Sequence, residues 1–118
     1  GAGGRPTGRL LEQIERDFPS YDAWLADFKA SGLAARGWVW LAYDHDFKML
    51  TTVVGDAQNT YPSWNATPIL ALDVYEHAYL MDYGRARAKY IEAFFKNLDW
   101  GVVAQNLERA LAMQSALK

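Results

Sequence analysis

Hydrophobic positions recur at two different periods along this chain. Leu10, Leu11, Ile14 and Phe18 sit at helical spacing, and Pro19 closes that segment. Thr7 stands where a helix N-cap belongs. Ser20 can cap a second helix, with Asp22 in a first turn where the helix dipole favours a carboxylate. Tyr21, Trp24, Leu25 and Phe28 form its apolar stripe, and Gly32 is a natural stop. The period then falls to two. GWVWLAYD (Gly37–Asp44) puts Trp38 and Trp40 on one face and Val39, Leu41 and Tyr43 on the other, which predicts a strand. His45 and Asp46 turn the chain, and FKMLTTVV (Phe47–Val54) returns as a second strand. Gly55 to Thr67 is polar and contains Pro62, so it reads as a loop. PILALDV (Pro68–Val74) is apolar on both faces and is expected to be a central strand. The remainder is helical. Tyr90, Ile91, Phe94, Phe95 and Leu98 make one stripe, and Asp99 can cap a last helix carrying Val103, Leu107 and Leu111. Two N-terminal helices, a three-stranded antiparallel sheet and C-terminal helices make an α+β domain.

Composition narrows the picture. The 118 residues suit one domain, and five Trp and seven Tyr supply a large aromatic core. The net charge of −2, with no long run of Lys and Arg, argues against a nucleic-acid or anionic-membrane partner. No stretch is long and apolar enough for a membrane span. No secretory signal is visible, which fits a cytoplasmic protein, although a chain that starts GAGG rather than with Met leaves that open. Cysteine is absent, so disulfides, thiolate metal sites and thiol catalysis are excluded. The two histidines, His45 and His77, limit any metal site built from these residues alone to two imidazoles. His45 falls in the hairpin turn and is expected to be exposed.

The chemistry concentrates in LDVYEHAYL, residues 72–80, where Asp73, Glu76 and His77 fall inside the most hydrophobic region. Asp and His are costly to bury without partners. On spacing alone, D-x-x-x-H is more often a satisfied structural pair than two metal ligands. Asp73 ends a strand, where sites are commonly built. Trp38, Trp40, Tyr75 and Tyr79 could line such a site with rings.

This stretch closely resembles the D-x-W-E-H-A-Y-Y motif of iron/manganese superoxide dismutases. Other motifs agree in order. GGRPTGRLLEQIERDFPSYDAWLADFKASGLAARGWVWLAYD resembles the family's segment ending GSGW-x-WL, AQN (Ala57–Asn59) stands for its NQD-like loop, and YGRARAKYIEAFFKNLDWGVV resembles its RPDY to NW-x-x-V region. The resemblance spans essentially residues 1–118 and covers only the family's C-terminal α/β domain. Residues 1–6 look like the end of an interdomain linker. The family's N-terminal helical hairpin, which brings two more histidine ligands and a gateway tyrosine, is not among these residues.

The resemblance implies that Asp73 and His77 are two of four protein ligands to one manganese or iron ion. It implies disproportionation of superoxide: one superoxide is oxidised to dioxygen, and a second is reduced and leaves with two protons as hydrogen peroxide. Gln58 matches the glutamine that hydrogen-bonds solvent in the site, and its loop position is more typical of manganese-type members. Glu76 matches the glutamate that crosses the subunit interface to the partner's ligand histidine, which implies a homo-oligomer. Trp38 and Tyr75 match pocket-wall aromatics. Arg87 matches the arginine of RPDY, and Arg85, Arg87 and Lys89 together could draw in an anion.

Departures cluster near the family's gateway. Tyr75 replaces a tryptophan, Leu80 the second tyrosine of AYY, Arg36 the serine of GSGW and Ala88 the proline of RPDY. They leave the ligands in place and bring the usual dimer and proton path into question. Three readings follow: the metal-binding C-terminal domain of a dismutase, inactive by itself for want of two histidines; a non-catalytic relative with a structural or oligomerising role; or two copies pooling Asp73 and His77 in one site.

Overall fold

The structure, a computed structural model, describes residues 3–55, 65–74 and 83–116. Within them, α1 (Gly8–Asp17) and α2 (Tyr21–Ala34) are followed by β1 (Trp38–Asp44), β2 (Met49–Gly55) and β3 (Ala66–Asp73), then α3 (Tyr83–Asn97) and α4 (Trp100–Ala116). This is the α+β order that the two hydrophobic periods predict.

Local chemistry explains most boundaries. Ser20 Oγ accepts the Ala23 N–H at 3.0 Å, capping α2 as expected. Thr7 does occupy the N-cap of α1, but its side chain makes no capping bond. The Gly101 N–H donates to Asp99 Oδ1 at 2.9 Å, which starts α4 where predicted. Gly32 does not stop α2, which runs on to Ala34. A Cβ on Gly32 would come within 2.9 Å of Leu72 Cδ2 and 3.0 Å of Ile91 Cδ1. This glycine therefore lets α2 lie close against β3 and α3. The hairpin turn also extends further than the pattern suggests. Asp44 Oδ1 accepts the N–H groups of Asp46 and Phe47, Lys48 adopts φ 56°, and β2 begins only at Met49. Phe47 thus lies in the turn, 77% exposed.

The sheet is antiparallel throughout, in the order β2-β1-β3. The expectation that Pro68–Val74 is a central strand is therefore corrected: β1 is central and β3 lies on an edge. Pro68 explains this, because it has no N–H to give a second neighbour. The register between β1 and β3 also slips between Leu41 and Ala42, so Ile69 is left out of the ladder. Asn106 Nδ2 of α4 donates to the Ile69 carbonyl at 3.1 Å and satisfies it.

The two faces of β1 separate as its alternation predicts. Val39, Leu41 and Tyr43 join the main core with residues of all four helices. Trp40 and Ala42 join Val53 in a smaller cluster, with Trp38 and Ala66 packed against it. At the centre of the main core, Trp24 meets Tyr21, Phe28, Phe95 and Trp100, with ring centroids 5.3–6.4 Å apart. No helix among the described residues is long and apolar enough to cross a membrane.

Candidate metal centre

β3 ends at Asp73 and β1 begins at Trp38, and the antiparallel register pairs these two residues. Paired residues project from the same face of a sheet, so the Asp73 carboxylate shares the face of Trp38 and Trp40. The two indoles stack, with centroids 6.0 Å apart and planes 4° from parallel. The other neighbour of Trp38 in the ladder is Gly55, which adds no side chain. Beyond the strand, the Val74 N–H donates to the Gly37 carbonyl at 2.8 Å. Val74 is fully buried. The backbone on both sides of Asp73 is thus fixed by hydrogen bonds and packing, and the carboxylate is held half-buried at the sheet end.

Tyr90 of α3 brings a third element to this region. Its phenol pKa is raised, first by burial and then by the negative charge of Asp73. The sequence pattern places Tyr90 only in the apolar stripe of α3.

Arg87 is directed at the end of α2. Its Nη1 donates to the carbonyls of Leu33 at 3.0 Å and Ala35 at 2.6 Å. A cation at a helix C-terminus satisfies orphan carbonyls and complements the dipole. Arg87 thereby fastens α3 to the turn that leads into Trp38. Arg36 and Lys89 are exposed.

Gln58, Tyr75, Glu76, His77 and Leu80 lie outside the described residues. Among the described residues, no three His, Asp or Glu side chains gather to hold a metal ion. Asp73 itself suits manganese or iron, as a hard oxygen donor held at a strand end beside aromatic rings. His45 is not the exposed turn residue the sequence suggests. It is 4% exposed, with its ring nitrogens 2.9 Å from Gln114 Oε1 and 2.7 Å from Thr67 Oγ1. Both partners lie far along the chain, so the local pattern could not reveal them.

Comparison with known proteins identifies the family. The family model for iron/manganese superoxide dismutases, C-terminal domain, matches residues 6–106. A superoxide dismutase [Mn] of Haloarcula marismortui is 46% identical over 110 residues, covering 93% of this chain and 54% of that protein. A superoxide dismutase [Mn] 2 of Haloferax volcanii is 44% identical over 111 residues, or 94% of this chain and 56% of the relative. A superoxide dismutase [Fe] of Aquifex aeolicus is 40% identical over 118 residues, which is all of this chain and 55% of the relative. The chain spans about half the length of the curated relatives it matches.

Proposed function

Given that the chain belongs to the iron/manganese superoxide dismutase family, in its C-terminal domain, we propose that it supplies half of the metal centre of an enzyme that disproportionates superoxide. Two superoxide radicals and two protons give one dioxygen and one hydrogen peroxide. The observation that carries this reading is the placement of Asp73: a half-buried carboxylate, paired in register with Trp38 and near Tyr90, at the end of β3.

Asp73 and His77 are the ligands this chain offers. The bound ion supplies the one-electron exchange, and we assign it as manganese. Support comes from the loop position of Gln58 and from the manganese designation of the halophilic relatives; an iron-designated relative at 40% identity keeps iron as the alternative. Trp38 and Tyr75 wall the site and limit its water. Gln58 hydrogen-bonds solvent there, and Glu76 steadies a ligand histidine across a homo-oligomer interface. Arg87 positions the α2–β1 turn that carries Trp38. Two further histidines come from a helical hairpin outside these 118 residues. Two ligands hold a metal weakly, so the 118-residue chain by itself is inactive.

The test uses the protein together with such a hairpin. Elemental analysis after metal supplementation should find manganese, and superoxide consumption should follow the metal content. D73A and H77A should lose both. Q58A should keep the metal and lose about 10- to 100-fold in activity. A metal-free protein after supplementation, or full activity in D73A, would overturn the reading. The metal-free result would favour a structural, oligomerising module instead.

A further inference from the structure

His45 closes a junction between three elements. It follows β1 directly, and its buried ring lies edge-on to Tyr43 at 5.2 Å. Nδ1 is 2.9 Å from Gln114 Oε1 in α4, and Nε2 is 2.7 Å from Thr67 Oγ1 in β3. Thr67 Oγ1 in turn lies 3.8 Å from the Met113 sulfur. Met113 sits one residue before Gln114 in the last turn of α4 and is 50% exposed.

The hydrogen-bond roles follow from the chemistry of the partners. A carboxamide oxygen only accepts, so Nδ1 carries the proton that faces Gln114. In the uncharged ring Nε2 then accepts, and the Thr67 hydroxyl donates to it. The Met113 thioether is a weak acceptor at long range and competes poorly for that hydroxyl.

Oxidation of the sulfur reverses the competition. A sulfur lone pair attacks one oxygen of hydrogen peroxide; the S–O bond forms and the O–O bond breaks. The sulfur gives up two electrons and becomes a sulfoxide, while the other oxygen leaves with both hydrogens as water. The sulfoxide oxygen is a strong acceptor close to Thr67. We infer that Met113 is a peroxide modification site whose oxidation is transmitted through Thr67 to His45. The sulfoxide takes the Thr67 hydroxyl, the ring proton moves from Nδ1 to Nε2, and Nε2–H donates to Thr67 Oγ1. Gln114 then turns its amide so that its NH₂ donates to Nδ1. The polar fastening between the end of α4 and the sheet is rewired without being lost. The proposed dismutase reaction would make hydrogen peroxide, but the inference stands on this junction whatever the source of the peroxide.

The experiment treats the protein with hydrogen peroxide, maps oxidation by peptide mass spectrometry and follows the assigned His45 ring ¹⁵N shifts. The peptide holding Met113 should gain one oxygen, and the two ring nitrogens should exchange protonated and unprotonated shifts. In M113L, which removes only the sulfur from a half-exposed position, peroxide should leave His45 unchanged. In T67V, Met113 should still be oxidised while His45 stays silent. Met49, 38% exposed at the start of β2, pairs with Asp44 beside the junction but is no member of the Met113–Thr67–His45 chain, and serves as the internal reference. Oxidised Met113 with an unchanged His45, or intact Met113 where Met49 is oxidised, would overturn the inference.

Discussion

Asp17 ends α1 with its side chain only 4% exposed, and its carboxylate is fully used. Oδ2 accepts from Gln13 Nε2 at 2.8 Å and from the Leu50 N–H at 2.7 Å, and Oδ1 accepts from Arg16 Nε at 2.9 Å. Arg16 also reaches the Lys48 carbonyl at 2.6 Å, beside the residue with positive φ. One acid–base pair thus ties α1 to the β1–β2 turn. Removing the carboxylate strands the Leu50 N–H, so Asp17→Ala should cost about 2–3 kcal/mol in urea unfolding. Arg16→Gln leaves the carboxylate its donors from Gln13 and Leu50 and should cost less than Asp17→Ala. Neither residue stood out in the sequence, because an acid and a base at a helix end are common on any solvated face.

At the scale of elements, capping and close packing give contrasting predictions. Ser20 makes its N-cap bond and Thr7 does not. Ser20→Ala should therefore lower the unfolding free energy by about 1 kcal/mol, and Thr7→Ala by only a few tenths. Thermal unfolding of the two variants side by side checks the contrast. Gly32 tests the opposite balance. Alanine would gain about 1 kcal/mol of helix propensity. Its Cβ, however, would meet Leu72 and Ile91, both almost fully buried, at 2.9 and 3.0 Å. Overpacking of that kind costs about 1–3 kcal/mol, so Gly32→Ala should destabilise the protein on balance, as read by its midpoint in urea. The sequence shows a glycine in a helical pattern and suggests an end. Only the neighbours of α2 show why the helix continues through it.

For the molecule as a whole, the phenols of Tyr21 and Tyr43 set a limit at high pH. Both are raised above the ordinary value, chiefly by burial. Burial makes the folded state hold each phenol proton more tightly than the unfolded chain does. Below about pH 10, both states keep their phenol protons and the full stability is present. As pH rises through and above about 10, the unfolded chain ionises first and stability falls. Circular dichroism should report unfolding at alkaline pH together with a late rise in phenolate absorbance. In Tyr21→Phe and Tyr43→Phe the late component of that absorbance should shrink, and an unchanged late component in both would contradict the assignment.

The element types, the α+β order, the Ser20 and Asp99 caps and the split faces of β1 were all legible in the sequence. Each reflects a local rule, in which the period of apolar side chains records backbone geometry over a few residues. The family was legible too, because its motifs keep their order along the chain. Tertiary structure alone decided that β1 rather than β3 is central and that Tyr90 stands near Asp73. It also joined Asp17 to a backbone donor 33 residues away, and His45 to partners 22 and 69 residues away. These are pairings between distant segments, set by which surfaces pack together, and no local period records them.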